Sequence, residues 1–327
     1  MKVTPQWIAT FETDTQTFVV DAWQRVLKDL MWDKFMDRRQ SSTLRELYFW
    51  LVESASIRPE GQGGNKRYDD IGASFYEIDN ANSGVGLILT KNEIEDNMMA
   101  GPSVRGMPAL DYAQNWAKQV GGHAAYWPQQ QLFTQLIANG KTANGYDGVP
   151  FFSASHPVNV LSGTATYSNL ATAMPLLADT DAHLLASAGY VNAVAAQMRG
   201  FKQPNGQFRR LRPAWLLHAP GQAYAVSKLL GSKFFNASDN VLTQMGIMPI
   251  CADELSAEDG VWYMGAELMP GEGGPFIYQD REPYTLTSYT SDSQIELNRR
   301  KVFEWLFDGR NAVAYGHPYL IIRVEPT

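Results

Sequence analysis

The stretch 107-MPALDYAQNWAKQVGGHAAYWPQQQLFTQLIANGKTANGYDGVPFFSASHPV-158 decides how the rest of the chain is read. Its first part sets Leu110, Ala113, Ala117, Val120, Ala124, Trp127, Leu132, Leu136 and Ile137 mostly three or four residues apart, the spacing of a long helix with one buried stripe. Gly121-Gly122 and Pro128 fall inside that pattern. Glycine loses conformational freedom in a helix and proline removes a hydrogen bond, so a bend or break is expected there. Asn139-Gly140 is the expected C-cap. Tyr146-Asp147-Gly148 then turns the chain into the apolar Val149-Pro150-Phe151-Phe152, so a spine-like helix hands over to a second body.

Working outward, a chain of 327 residues has enough length to bury a sizeable core as one large or two modest domains. Apolar residues make up 45% and charged residues 19%, the balance of a globular protein. A formal net charge of −7 argues against a dedicated nucleic-acid binder. The single cysteine, Cys251, excludes an internal disulfide framework. No run of eighteen apolar residues occurs, and the first residues lack the basic start and apolar core of a signal peptide, so a soluble intracellular product is expected.

Residues 1–16 are polar with isolated Trp7, Ile8 and Phe11, and read as an arm that needs a partner surface. From Thr17 to Arg39 a stripe of Val19, Ala22, Trp23, Val26, Leu27, Leu30, Met31 and Phe35 predicts an amphipathic helix packed on its own domain. Thr43 with Glu46 three residues on has the form of a capping box, predicting a short helix that holds Leu47, Phe49, Trp50 and Leu51. Residues 58–67 have almost nothing apolar to bury, so they project or are covered by something else. Ile71 to Ile78 and Val85 to Leu89 then predict two extended segments around a turn. Together these form a two-stranded protrusion with a glycine-rich stem, an element too small to be stable alone and expected to lie on another subunit.

The chemistry-bearing residues form no recognisable site. Gly84-Val85-Gly86 lacks the third glycine of a nucleotide loop, and no Gly-Lys-Ser/Thr ending exists. Glu93, Glu95 and Asp96 read as a solvated lead into a helix because no histidine follows at ligand spacing. His123, His156, His183, His218 and His317 show no metal-ligand spacing and read as hydrogen-bonded structural residues. Arg209, Arg210 and Arg212 read as a surface or inter-subunit patch. No catalytic, cofactor or metal residue is therefore expected.

Residues 159–285 read as a second module. It holds a helix from Ala182 to Arg199, a strand Pro213–His218 followed by a helix from Gln222 to Leu230, and strands from Val241 to Ala252 and from Val261 to Met264. Beyond it, Val302 to Phe307 and Asn311 to Tyr315 flank Asp308-Gly309, a hairpin signal, and a last strand runs from Tyr319 to Val324.

Tyr146-Asp147-Gly148-Val149-Pro150-Phe151-Phe152 with His156-Pro157 resembles the signature of the Mu-like phage major head subunit family. Four further stretches resemble that family's motifs in the expected order: Ile94-Glu95-Asp96-Asn97, where the family's last position is Asp; Val261-Trp262-Tyr263-Met264; Pro275 to Glu282; and Arg310 to Gly316. The likeness spans roughly residues 40–325. It implies an α+β chain with the tailed-phage major capsid fold, the Hong Kong ninety-seven type. By resemblance, residues 1–55 are the N-terminal arm, 56–90 the extended loop, 91–150 the spine helix and first part of the peripheral domain, 151–290 the axial domain, and 291–327 the peripheral return strands and C-terminal strand. The implied function is a non-enzymatic major capsid protein that forms hexamers and pentamers of an icosahedral shell. Its implied partners are a scaffold protein, a portal, a decoration protein and packaged double-stranded DNA held without sequence-specific contacts, with no membrane. The implied location is the virion capsid, assembled in the bacterial host cytoplasm. Inter-subunit contact is expected from Trp7 and Phe11 in the arm and from Arg58, Lys66, Arg67 and Tyr68 in the extended loop. An encapsulin-like nanocompartment is the alternative within the same fold; a hydrolase using the acidic residues is the alternative outside it.

Overall fold

The computed structural model describes residues 5–51, 73–93, 109–161, 164–235, 238–258, 260–267, 273–289 and 299–326. The spine is α2, Ala109–Gln131, running on through a π-helical stretch at Leu132–Ile137. Gly121-Gly122 does not break it. A Cβ on Gly121 would stand 2.3 Å from the Val19 carbonyl oxygen, so the glycine is where α1 (Pro5–Leu27) crosses closely. The irregularity appears instead one turn beyond Pro128. There six residues place Leu132, Phe133, Leu136 and Ile137 in the core, and the Tyr315 hydroxyl donates to the Leu136 carbonyl at 3.0 Å. Gln129 pins this end, accepting from the Met31 amide and donating to Glu254.

The helix predicted from Thr17 to Arg39 needs correcting at both ends. It begins at Pro5, so residues 5–16 of the expected arm are helical, and it stops at Leu27. The apolar stripe continues past it because two elements share it. Val19 and Ala22 are buried on α1, whereas Phe35 and Met36 enter a different core through β1, Met36–Gln40. The helix predicted after Thr43 is a strand, β2 (Arg45–Leu51), paired antiparallel with β3 (Ala73–Asp79). The Glu46 carboxylate does accept from the Ser42 and Thr43 amides and the Ser41 hydroxyl, but it closes a turn that leads into a strand.

Two sheets organise the rest. One is four-stranded in the order β1, β13 (Phe276–Tyr289), β14 (Val302–Tyr315), β4 (Ala81–Thr90), with β1 parallel to β13 and the other pairs antiparallel. The expected hairpin at Asp308-Gly309 does not form, and β14 runs straight through. Both residues pair with β4 beside a register shift in β13, and a Cβ on Gly309 would come 2.9 Å from the Tyr284 ring. The two segments around Asn80 likewise do not pair with each other: β3 joins β2, while β4 joins β14.

The second sheet is five-stranded, ordered β11 (Met248–Cys251), β8 (Pro213–His218), β12 (Trp262–Ala266), β15 (Ile321–Val324), β7 (Leu170–Ala171). The predicted Val241–Ala252 strand is shorter because a 3-10 turn, Val241–Met245, precedes it. Alternation divides this sheet. Leu216, Met264 and Ile322 face α3 (Asp181–Arg199) and α4 (Ala223–Gly231), while Trp215, Leu217, Tyr263 and Ile321 face the spine's end and Phe151. Both faces are thus covered. Two-residue ribbons complete the chain, β5 (His156–Pro157) with β6 (Thr166–Tyr167) and β9 (Phe234–Phe235) with β10 (Ser238–Asp239). The segment 291–327 therefore divides between sheets, β14 in the first and β15 in the second.

Candidate functional site

Three arrangements could carry function: the motif at the junction of the two bodies, a charged network beneath the five-stranded sheet, and the β2–β3 ribbon. At the junction, Asp147 and His156 bring the two ends of the signature together, with Nδ1 to carboxylate at 2.6 Å and both side chains buried. His156 Nε2 faces the Phe151 carbonyl and Asn169 Oδ1 at 3.2 and 3.1 Å. Asn169 donates to the Phe151 and Pro318 carbonyls and accepts from the Ser153 amide. The signature is therefore a structural clasp. It turns Phe151 and Phe152 inward, where Phe151 stacks on Tyr315 at 4.6 Å and Phe152 packs near Tyr263.

The other described histidines are also accounted for without chemistry. His183 contacts Asp179 at 2.7 Å, His317 stacks on Tyr319, and His218 is buried against the Ala219 carbonyl, its pKa lowered by desolvation. His123 is exposed on α2. Glu93 accepts from the Thr90 amide and hydroxyl, as expected of a cap; Glu95 and Asp96 lie outside the described residues. Among the described residues no group of three or more His, Cys, Asp or Glu is placed to hold a metal ion, and no helix is long and apolar enough to cross a membrane.

Sequence reading missed the charged network. Arg323 is 8% exposed, donates to the Tyr263 hydroxyl at 2.6 Å and meets Glu258 at 3.3 Å and Glu325 at 3.0 Å. Lys141, just after the spine, reaches Glu325 at 2.9 Å. Partial burial opposes ionisation of Glu325, but hydrogen bonds from Lys141 and Arg323 outweigh it and hold the carboxyl below its usual range. An arginine in an otherwise apolar strand, flanked by Ile322 and Val324, is the signal that a buried pair must exist.

The ribbon is locked at its base. Tyr48 donates to Gln279, Gln279 donates to Asn80, and Asn80 donates to the Ser41 hydroxyl and the Thr43 carbonyl. Ile78 is buried against Ile277 and Ala314. At the same end, Arg45 clamps its cross-strand partner Asp79 through two hydrogen bonds of 2.6 and 2.9 Å on exposed surface. Arg58, Lys66, Arg67 and Tyr68 lie outside the described residues, in the connection between the two ribbon strands. Trp7 and Phe11 fall on α1, but their side chains are also outside what is described.

Comparison with known proteins follows the same lines. No curated protein matches the chain. Among solved structures, the capsid of cyanophage P-SCSP1u superposes with a TM-score of 0.57 at 12% identity, covering 90% of this chain and 87% of that one. The mature capsid of bacteriophage PhiM1 gives 0.54 at 11% identity over 90% and 86%. A virus-like particle from Pyrococcus furiosus gives 0.50 at 10% identity over 94% and 98%. At these identities the likeness establishes the fold, the tailed-phage major capsid type. The model of the Mu-like prophage major head subunit gpT family matches residues 12–186, from within α1 through the spine, the Asp147–His156 clasp and into α3. That match covers more than half of the sequence, and the chain belongs to the Mu-like prophage major head subunit gpT family, whose members are structural capsid proteins.

Proposed function

We propose that this major head subunit assembles with copies of itself into hexamers and pentamers of an icosahedral shell enclosing double-stranded DNA, and that it performs no catalysis. The observation that carries this reading is the β2–β3 ribbon. Two strands alone are marginal in water, and beyond its locked base this pair has no third strand among the described residues. Neighbouring copies supply the missing surface, and many such modest contacts make a closed lattice stable through multivalency. The formal charge of −7 suits a wall that holds DNA without binding it tightly.

In this reading the start of the N-terminal arm (residues 1–55) and the ribbon reach between copies, with Trp7, Phe11, Arg58, Lys66, Arg67 and Tyr68 as contacts, while β1 of the same arm stays in the subunit's four-stranded sheet. The α2 spine and the four-stranded sheet form the peripheral domain, with β4 included. The five-stranded sheet with α3 and α4 forms the axial domain, with β15 included. A scaffold protein, a portal and a decoration protein act during assembly in the host cytoplasm.

Negative-stain microscopy of the purified protein tests the reading. Shells or ring-shaped capsomers are expected, and a strictly monomeric particle at high concentration would overturn it. The encapsulin-like alternative shares the fold; particles purified from the host that contain an enzyme and no genome would establish it instead.

A further inference from the structure

Each of the two larger sheets ends in two edge strands, and three of those four edges are blunted. β1 carries Asp37, Arg38 and Arg39 in five residues, β11 contains Pro249, and β7 is two residues long. Charge, proline and brevity are the usual means of preventing edge-to-edge pairing. The fourth edge, β4, has none of them. Ala81–Thr90 is ten residues with no charge and no proline.

The hydrogen bonds show which groups this edge presents. The Lys91 amide donates to the Lys301 carbonyl, in register with the β14 pairing, so odd-numbered residues of β4 bond to β14 and even-numbered ones point outward. The Thr90 amide is already taken by Glu93. That leaves Asn82, Gly84, Gly86 and Ile88, all exposed and, among the described residues, without a neighbouring strand.

From this geometry we propose that β4 pairs antiparallel with β4 of a second copy about a two-fold axis, joining two four-stranded sheets into one. Four outward residues dictate the register. Asn82 pairs with Ile88 of the second copy and Gly84 with Gly86, and the axis passes between the two copies of Val85. The pairing is self-complementary, as a two-fold contact requires, and forms on the order of eight backbone hydrogen bonds. Although the inference rests on the self-assembly proposed above, its test separates the two.

Val85 and Ile88 are almost equally exposed, at 48% and 50%. In the proposed register the two Val85 Cα atoms are ~4.5 Å apart, as in any non-hydrogen-bonded antiparallel pair, and within the range a disulfide spans. The two Ile88 Cα atoms are six residues apart along the strand, ~20 Å. Val85→Cys and Ile88→Cys, each made in full-length Cys251→Ser protein and checked for cooperative unfolding, are assembled and oxidised. A covalent dimer on a non-reducing gel from Val85→Cys, at least tenfold more abundant than from Ile88→Cys, is the expected result. Particles that form with no covalent dimer from Val85→Cys, or with equal dimer from both variants, overturn the pairing and leave self-assembly standing. Protein that stays monomeric and uncross-linked overturns both.

Discussion

The five-stranded sheet and the β2–β3 ribbon use the same backbone geometry for opposite ends. In β8 five of six residues are buried, and helices on one face and the spine's end on the other leave little for a neighbour to add. In the ribbon only Ile78 is buried among the side chains described on either strand; Leu47 stays 46% exposed and Arg45 is clamped at the surface. One region is finished within the subunit, whereas the other, in the proposed assembly, gains its burial from a neighbouring copy. Stability and assembly should therefore be separable by mutation.

The largest effect is expected inside the finished region. Leu216→Ala, at a site with no exposure, should cost about 3 kcal/mol in urea unfolding of the subunit. Leu47→Ala on the ribbon should leave that unfolding midpoint nearly unchanged while lowering the yield of shells seen by microscopy. Equal losses of stability from the two would erase the contrast.

Gly121→Ala comes next, since its new methyl group strikes the Val19 carbonyl. A loss of about 2 kcal/mol is expected, with faster hydrogen exchange confined to α1 and the middle of α2. Asp147→Asn should cost about 1.5 kcal/mol by removing a buried charge-assisted bond to His156, and it should loosen the junction between the bodies without touching the ribbon. Shells that assemble normally from a destabilised Asp147→Asn subunit would sharpen the division further.

The smallest effect lies at the ribbon's entry. Hydrogen bonds from the Ser42 amide, the Ser41 hydroxyl and the Thr43 amide lower the Glu46 pKa to about 2. Because the folded value lies below the unfolded one, the turn's contribution is complete above the ordinary carboxylate range and fades as pH falls from about 4.5 toward 2. Carboxyl-carbon NMR titration checks this; a midpoint near 4.5 would mean that the turn is not held as described.

The regions also differed in how plainly the sequence announced them. α3 and α4 were legible because each answers to one core, so a single apolar period describes it; the spine kept one apolar stripe while meeting three clusters in turn, and β8, covered on both faces, showed as an uninterrupted apolar run. Residues 17–39 misled because one stripe serves two cores. The Thr43–Glu46 pattern misled because a carboxylate satisfying free amides serves a turn into a strand as well as a helix start. Asp308-Gly309 is a local hairpin cue overruled by pairing with β4 and by the nearby Tyr284 ring. The Asp147–His156 clasp lay in view within the signature, but Asn169, which completes it, carried no local mark. The bare edge of β4 was invisible because being an edge is a property of the sheet's order, not of any residue.

The interior place of β15, between β12 and β7, has a consequence for synthesis. Its residues, 321–324, emerge from the ribosome after every other strand of that sheet, so the sheet stays split until they arrive. A polypeptide cut short before them would leave β7 without a partner strand and the outer edge of β12 bare, so closure of this sheet waits on residues 321–324.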